Sequence, residues 1–430
     1  MKAKLLIVSY SFPPDNVPAA QRPYFMAKYL QESGTVDNIV LTSRNAMSSL
    51  GQSDWADLSN LNIVYTDKGT NEPGIQGQQK KKSGKGLKRS LLKSIGREIL
   101  IPDKGILWFF KALRKAKEIL RDHPDIKFIF STSPSLVNHL IAYYVVKKTG
   151  IKWIADFRDF YYLNDIEEER YLFRKLIDRH IERKIVAAAD HLVFIGNDMR
   201  SEYLKTYPGI RDSSVIFNGF DDNEFAGGEY RETPNKKFTI FYAGTFYNGI
   251  RSPFPLLKSL SLLVNDARVA ADDIEVVIAG NISKDLLDRM KECVPPQMLT
   301  YLGQIPRKDV LKHMANADAL WLIVGNRKSH YMGFPVKGFE YMAANRHVLL
   351  FAPEHSEASR IFSELNCGSA FSSDENDIVF RANAEKLWDV YKEFRNGSLN
   401  NGHHSGNDEA IKKYKRKYQA FQFSELLNKL

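Results

Sequence analysis

Residues 331–346 read YMGFPVKGFEYMAANR, and they follow the apolar run ALWLIV at 319–324. The apolar run predicts a buried β-strand. Pro335 suits the first turn of a following helix, because the N–H group that proline lacks would have no partner there. Asn345 tolerates the left-handed conformation that often ends a helix. Strand, loop and helix in this order form the repeating unit of an α/β fold.

Two charged residues give this helix a candidate function. Lys337 and Glu340 are three positions apart and therefore share one helical face near the N-terminus. That end of a helix carries partial positive charge and free N–H donors, which favour a phosphate, and lysine adds a full charge. A carboxylate can accept hydrogen bonds from two sugar hydroxyls. The segment predicts a site for a nucleoside diphosphate; the alternative is an ordinary helix with a surface Lys–Glu pair.

The same alternation of short apolar strands with helices extends over the whole chain and predicts two doubly wound, Rossmann-like domains. The turn residues Asn218-Gly219-Phe220-Asp221 and a polar stretch to Lys237 interrupt it and indicate a linker. We therefore expect an N-terminal domain at 1–222, a C-terminal domain at 223–410, and a last helix at 411–430 that packs on the N-terminal domain. A loop is expected at 66–86 and a helix at 87–100.

Length and composition limit the class of protein. A chain of 430 residues with 43% hydrophobic residues suits two folded domains. Its two cysteines, Cys293 and Cys367, argue against a disulfide framework and against a structural zinc site, and they indicate a reducing cytoplasm. No apolar run approaches the roughly 18 residues that span a bilayer.

The net charge of +10 is concentrated in one segment. Residues 80–121 contain 14 Lys or Arg and three acidic residues, so the rest of the chain is close to neutral. Nucleic acid is not an expected partner, because the cations are not combined with stacking aromatic residues as in known binding modules. A solvated face is one interpretation. The other, which we favour, is an anionic membrane surface, since apolar residues are interspersed with the cations. These apolar residues are Leu91, Leu92, Ile95, Ile99, Leu100, Leu107, Trp108, Phe109 and Phe110.

Two segments of the first half follow predicted strands and carry candidate chemistry. SFPPDNVPAAQR at 11–22 is a loop of small residues whose backbone N–H groups could approach a phosphate, or simply a proline-rich turn. WIADFRD at 153–159 lies where open α/β sheets place ligands. Asp156 or Asp159 could accept a proton there, because a carboxylate beside a cation is ionised at neutral pH. Alternatively, Arg158 holds both carboxylates in a structural role.

The segment FYAGTFYNGIR at 241–251 follows the first strand of the second half. Gly244 would allow close approach of a ligand, and Arg251 fits the geometry of a phosphate. The alternative is a solvated arginine before a proline turn.

Together with the two-domain plan, these segments resemble the GT-B glycosyltransferases, specifically the retaining family usually called glycosyltransferase family 4, over nearly the whole chain. The resemblance implies two domains that face each other across a cleft, with the donor on the C-terminal one. The chain departs from the family pattern at three places: Ala19-Ala20 replaces a Gly-Gly pair, Thr245 replaces a basic residue, and Met332 replaces the first of two glutamates. The implied site residues fall into three groups. They are Asp156 and Asp159 as catalytic carboxylates; Gly244, Thr245, Arg251, Gly280, Lys337 and Glu340 at the donor; and Asn16, Ala19, Ala20, Arg22 and Arg158 at the acceptor or phosphate loop.

The resemblance further implies transfer of a sugar from a nucleotide sugar to a glycan or lipid-linked acceptor, with retention of configuration, in the biosynthesis of a surface polysaccharide. No cofactor and no metal are expected, because the chain has neither an Asp-x-Asp motif nor a His/Cys cluster with metal spacing. The expected location is cytoplasmic, including the inner face of the cell membrane. A nucleotide-sugar epimerase of the same fold and a non-catalytic member that binds a glycan or a partner protein are the alternatives.

Overall fold

The computed structural model describes residues 2–44, 55–66, 100–164, 171–224, 235–399 and 408–430. The chain forms two compact units, each built on one parallel β-sheet flanked by helices. The expected loop at 66–86 and helix at 87–100 lie almost entirely outside the described residues. So do the first half of the basic segment and positions 225–234 of the expected linker.

The sheet of the first unit has seven strands in the order β3-β2-β1-β4-β5-β6-β7, all parallel. Its central strands are buried on both faces, which explains why they appear in the sequence as continuous apolar runs. The strands are β1 (Ala3–Val8), β2 (Val36–Thr42), β3 (Asn62–Tyr65), β4 (Phe128–Thr132), β5 (Lys152–Phe157), β6 (His191–Phe194) and β7 (Ser213–Val215).

The helices of the first unit connect successive strands. They are α1 (Pro18–Glu32), α2 (Ile106–Asp122), α3 (Val137–Thr149), α4 (Leu172–Ala188) and α5 (Asn197–Thr206). The last helix of the chain, α14 (Arg416–Lys429), packs against α1, and the Phe423 ring lies 4.7 Å from that of Phe130 on β4. The C-terminal segment therefore completes the core of the first unit.

The sheet of the second unit has six parallel strands in the order β10-β9-β8-β11-β12-β13. They are β8 (Phe238–Ala243), β9 (Ile274–Ala279), β10 (Leu299–Gly303), β11 (Ala319–Ile323), β12 (His347–Ala352) and β13 (Gly368–Ser372). The helices are α6 (Phe254–Asn265), α7 (Lys284–Cys293), α8 (Arg307–Asn316), α9 (Lys328–Tyr331), α10 (Val336–Ala343), α11 (Glu357–Leu365), α12 (Asp377–Arg395) and α13 (Asp408–Lys412). Alternate side chains of β8 and β11 enter two separate hydrophobic clusters, one on each face of the sheet.

The chain passes from the first unit to the second at Ile216–Phe217, a few residues before the expected boundary at 222, and returns at Arg416. Residues 196–198 also group with the second unit. In each sheet the strand order reverses direction once, between β1 and β4 and between β8 and β11. Open α/β sheets bind ligands at the carboxyl ends of the strands beside such a reversal.

Three local expectations need correction. Ser133-Pro134 predicts a helix start, with a capping serine and a first-turn proline. The helix begins at Val137 instead, because Ser133 Oγ accepts the Arg158 N–H (2.9 Å) and cannot cap a helix. Asp103 accepts the Leu136 N–H there instead (2.9 Å). The last helix, expected at 411–430, is replaced by two helices, α13 and α14, since the chain between them pairs with Phe220 through the Tyr414 carbonyl (3.0 Å). Helix α5 and edge strand β13 were not expected, and few of their residues are buried.

Candidate functional site

Three adjacent strands of the second sheet end at glycines with positive φ. Gly244 follows β8, Gly280 follows β9 and Gly303 ends β10, with φ of 146°, 139° and 68°. Backbone hydrogen bonds join them, since Gly244 N donates to the Ala279 carbonyl (2.8 Å) and Gly280 N to that of Gly303 (2.7 Å). A Cβ at Gly280 would lie 2.0 Å from the Gly244 carbonyl oxygen. Because these three residues have no side chains, a ligand can approach the backbone closely at this edge. Gly303 was not among the site residues predicted from the sequence, although its position at the end of a predicted strand could have indicated it.

The side chain of Lys337 reaches this edge from the first turn of α10. Its Nζ is buried without a hydrogen-bond partner and lies 4.7 Å from the centroid of the Tyr242 ring. A Cβ at Gly244 would lie 1.5 Å from Nζ, so only glycine leaves room for the ammonium group there. The α10 N-terminus adds partial positive charge and N–H donors at the same place.

The environment of Lys337 disfavours the charged form of its side chain. Burial and, to a smaller extent, the positive charge of Arg251 lower the pKa of its ammonium group to about 7, although the Glu340 carboxylate opposes the shift. Arg251 lies over the Tyr247 ring (4.7 Å to the centroid), and its Nε is also buried without a partner. Two cationic groups near one edge of exposed backbone could together hold an anion with more than one negative charge.

Glu340 lies one turn further along α10 and is almost completely buried. Both terminal nitrogens of Arg307, the first residue of α8, donate to the same carboxylate oxygen, Oε1, at 3.1 Å. The pair fixes the position of the carboxylate. Arg307 was missed in the sequence because α8 precedes α10 by one whole βα unit, and only the fold brings the two helices together.

The remaining residues predicted at the sugar-donor site take part through their backbone groups. The Thr245 carbonyl accepts a hydrogen bond from the Tyr242 hydroxyl (2.9 Å), which fixes the loop after Gly244. Tyr301 donates to the Gly280 carbonyl in the same way (2.9 Å). The structure thus brings Gly244, Gly280, Lys337 and the Thr245 backbone to one edge of one sheet.

In the first unit, Asp156, the second-last residue of β5, is a fully buried carboxylate. Arg22 of α1 binds both of its oxygens, with Nε 3.0 Å from Oδ2 and Nη2 2.7 Å from Oδ1. Thr132, at the end of β4, donates to Oδ2 at 2.6 Å. Arg22 also donates to the Ile216 carbonyl (2.9 Å). The arrangement joins α1, β4, β5 and β7, which is a positioning role for both Asp156 and Arg22.

The other first-unit candidates lie around the start of α1. The Arg158 guanidinium donates to the carbonyls of Ala19 (2.8 Å) and Ser133 (3.3 Å), and burial lowers its pKa. Asp159 is exposed, in contrast to Asp156, while Ala20 is fully buried. Asn16 accepts the indole N–H of Trp55 at 3.0 Å. Of the two carboxylates, Asp159 is therefore the one with solvent-accessible atoms, although partial desolvation by the surrounding protein raises its pKa and Arg158 opposes this shift.

Among the described residues, no three His, Cys, Asp or Glu side chains are grouped so that they could hold one metal ion. No helix within the described ranges is long and apolar enough to cross a membrane.

Comparison with known proteins gives matches in structure only. No family model matches the sequence, and no curated protein matches it significantly. Sucrose-phosphate synthase from Thermosynechococcus elongatus is similar with a TM-score of 0.62 at 11% identity, over 100% of this chain and 99% of that one. HepE from Anabaena, solved with UDP and glucose, gives 0.60 at 12% over 100% of both chains. The lipopolysaccharide outer core galactosyltransferase WaaB gives 0.56 at 12% over 99% and 100%.

These similarities, with two parallel sheets of seven and six strands, show that the chain has the GT-B fold of glycosyltransferases. The fold predicted from the sequence is confirmed.

Proposed function

We propose that this protein is a glycosyltransferase that uses a nucleotide sugar, with the donor diphosphate bound at the carboxyl edge of the second sheet. The observation that carries the proposal is the buried, unpartnered Nζ of Lys337 against Gly244. A buried cation without a counter-charge is unfavourable unless an anion binds it. UDP is the first donor nucleotide to test, because HepE was solved with UDP and with UDP-glucose.

In this proposal each group of the second unit has one task. Lys337, Arg251 and the N-terminus of α10 neutralise the charge that grows on the leaving diphosphate, so no metal is required. The Glu340 carboxylate, held by Arg307, accepts hydrogen bonds from the ribose hydroxyls. Gly244 and Gly280 let the diphosphate and the nucleobase approach the backbone.

The acceptor would be a glycan or a lipid-linked intermediate in the biosynthesis of a surface polysaccharide, glycosylated with retention at the inner face of a membrane. Retention by attack on the leaving-group face needs no enzymic nucleophile. Asp159 is the carboxylate that would take the proton of the acceptor hydroxyl, because Asp156 is enclosed by Arg22 and Thr132.

The test begins with thermal shifts of the protein against UDP, ADP, GDP and the corresponding sugar nucleotides, since a ligand of the folded state raises the Tm. A sugar nucleotide that binds is then supplied with candidate acceptors, and the products are separated. Release of UDP with a new glycoside supports transfer. Release of UDP with a free altered sugar and no acceptor requirement would indicate the epimerase instead. A protein that is stabilised by none of these nucleotides contradicts the proposal.

A further inference from the structure

The backbone on both sides of Asp159 is fixed by side chains from elsewhere in the first unit. Among the described residues, none donates a hydrogen bond to the Asp159 carboxylate itself, and Arg158 acts on it through charge. The position of this carboxylate therefore depends on the chain before and after it. Before it, Arg158 N donates to Ser133 Oγ (2.9 Å). After it come residues 160–164, named here the 160–164 segment, whose first three residues are held by helices α4 and α5.

Asp178 of α4 anchors this segment through the side chain of Tyr161. The Asp178 carboxylate is fully buried, and the Tyr161 hydroxyl donates to its Oδ1 at 2.6 Å. Arg174, one turn earlier on α4, donates to the same oxygen at 2.8 Å and also to the Pro102 carbonyl. Hydrogen bonds to an ionised group are roughly twice as strong as neutral ones, so this group holds Tyr161 in one place.

Glu182, one turn further along α4, provides a second anchor. Its carboxylate is fully buried and accepts hydrogen bonds from the hydroxyls of Tyr203 (2.7 Å) and Tyr207 (2.6 Å). The backbone N–H of Tyr162 donates to the same carboxylate. The Phe160 ring stacks on that of Tyr203, with 5.7 Å between the centroids and 14° between the planes. Glu182 and its partners on and just after α5 therefore fix Tyr162 and Phe160.

Packing alone does not explain two acids buried in successive turns of one helix. Removing a carboxylate from water is unfavourable, and for this reason burial raises the pKa of Glu182 to about 7. Apolar residues of similar volume often pack such a helix as well or better. What the two acids add is a fixed geometry, because their hydrogen bonds reach the side chain of Tyr161 and the backbone of Tyr162.

We infer that Asp178 and Glu182 are positioning residues of the transfer reaction, which hold the Asp159 carboxylate where it takes the proton of the acceptor hydroxyl. The inference rests on the proposed function, in which Asp159 is the base. Both acids are fully buried, so they act on the reaction only through the 160–164 segment. A base must lie within hydrogen-bond distance of the proton that it takes, and a displacement of about 1 Å can slow a reaction about 100-fold.

The experiment compares kcat and KM of Tyr161→Phe and Glu182→Gln, each made in the wild type and in Asp159→Asn. Tyr161→Phe removes the hydroxyl that Asp178 holds and keeps the ring, while Glu182→Gln leaves one acceptor oxygen instead of two. In the wild type, each should lower kcat at least about tenfold and change the KM of the sugar nucleotide less than about twofold, since the donor binds to the second unit. In Asp159→Asn the further loss of kcat should be less than about twofold, because the group that they position is already removed.

A second measurement follows the 160–164 segment without using activity. Amide hydrogen exchange of this segment, read by mass spectrometry, should be faster in Tyr161→Phe and in Glu182→Gln than in the wild type. The matched control is Ile185→Val, which shortens a fully buried side chain of α4 that lines a groove with Tyr143 of α3. This control should leave both kcat and the exchange of the segment unchanged. If Glu182→Gln does not fold, Tyr161→Phe alone decides, because it removes a single hydroxyl.

Three results overturn the positioning role while the wild type still transfers sugar. One is an equal loss of kcat in the wild type and in Asp159→Asn, which would mean that the acids support the fold in general. Another is a wild-type kcat in variants whose segment exchanges faster. The third is an Asp159→Asn protein with the kcat of the wild type, since Asp159 would then not be the group that is positioned. A wild type that transfers no sugar refutes the proposed function itself, and the positioning role with it.

Discussion

Replacing Lys337 by methionine tests the donor site most directly, because it removes the charge and keeps much of the side-chain volume. In the free protein the substitution should be stabilising. The folded-state pKa of Lys337 is lowered from 10.5 to about 7, so at neutral pH folding must release a proton or bury an unpaired charge. The corresponding free energy is on the order of 2–5 kcal/mol, the upper value assuming no relaxation of the flexible side chain.

The sign of the pH dependence follows from proton binding. Between about pH 7 and 10.5 the unfolded chain binds more protons at Lys337 than the folded protein does, so the stability of the wild type rises with pH in this window. The advantage of Lys337→Met should therefore be largest at pH 7 and below and should fall towards zero near pH 10. Urea unfolding of both proteins at several pH values measures it, and the difference between them removes the contribution of other titrating groups.

For UDP binding the wild type, and not the variant, should have the advantage. A hydrogen bond from a charged donor contributes about 1.5–3 kcal/mol, so Lys337→Met should weaken UDP binding by about 10- to 150-fold. Wild-type affinity should also fall above pH 7, as the free lysine loses its proton, and the affinity of the variant should not. Isothermal titration calorimetry at pH 6.5, 7.5 and 8.5 measures both effects.

The control is Lys284→Met, which alters an exposed lysine of the same unit and should change stability by less than about 0.5 kcal/mol. A Lys337→Met protein that binds UDP as the wild type does would refute the reasoning. So would one that is less stable than the wild type at pH 7, since burial of an unpaired charge would then not be the dominant effect.

Five further outcomes are expected. Glu340→Gln and Arg307→Ala should each lower UDP affinity about tenfold, and the double variant should lose less than the sum, with a coupling of about 1–2 kcal/mol in calorimetry; additive losses would mean that the pair does not act as a unit. Gly244→Ala should lower UDP affinity by at least about tenfold, because its Cβ displaces Lys337; Gly249→Ala, also at positive φ but with open space around its Cβ, is the control. Asp156→Asn should cost about 3–5 kcal/mol in urea unfolding, because it leaves Arg22 buried without its counter-charge. Exposed Asp159→Asn should be neutral in stability within about 0.5 kcal/mol but should slow transfer if Asp159 is the base. A chelator such as EDTA should leave the transfer rate unchanged, and a loss that Mg²⁺ restores would contradict metal independence.

The regular part of the fold could be predicted because it is encoded locally. Strands buried on both faces give apolar runs of five or six residues, as in β11, and Asn345 has the left-handed φ of 52° expected at the end of α10. Elements with few buried residues could not be recognised. Helix α5 buries only Met199 and Tyr203, so its sequence shows no strong period.

Prediction of the site failed where residues meet only through the fold. Arg307 is 33 positions from Glu340, and nothing near it in the sequence indicates that it will donate to a carboxylate. Ser133 looked like a helix cap, but a hydrogen bond to Arg158, 25 positions away, uses its hydroxyl. The sequence also ranked the aspartates of the first half together, whereas burial separates them into an enclosed Asp156 and an exposed Asp159.

The two units differ in how their buried charges are paired, and the proposed ligand site of the second unit rests on this difference. In the first unit, Asp156 and Arg22 are opposite charges within 3.0 Å, and Thr132 satisfies the carboxylate further. Such a group stabilises strand ends and offers little to a ligand. In the second unit, Lys337 has no hydrogen-bonding counterpart, and Arg307 is the residue that occupies Glu340 Oε1. In the proposed function, an anion that enters beside Gly244 would therefore restore a favourable environment to a charge that the folded protein already holds, and its binding energy would be concentrated at the diphosphate.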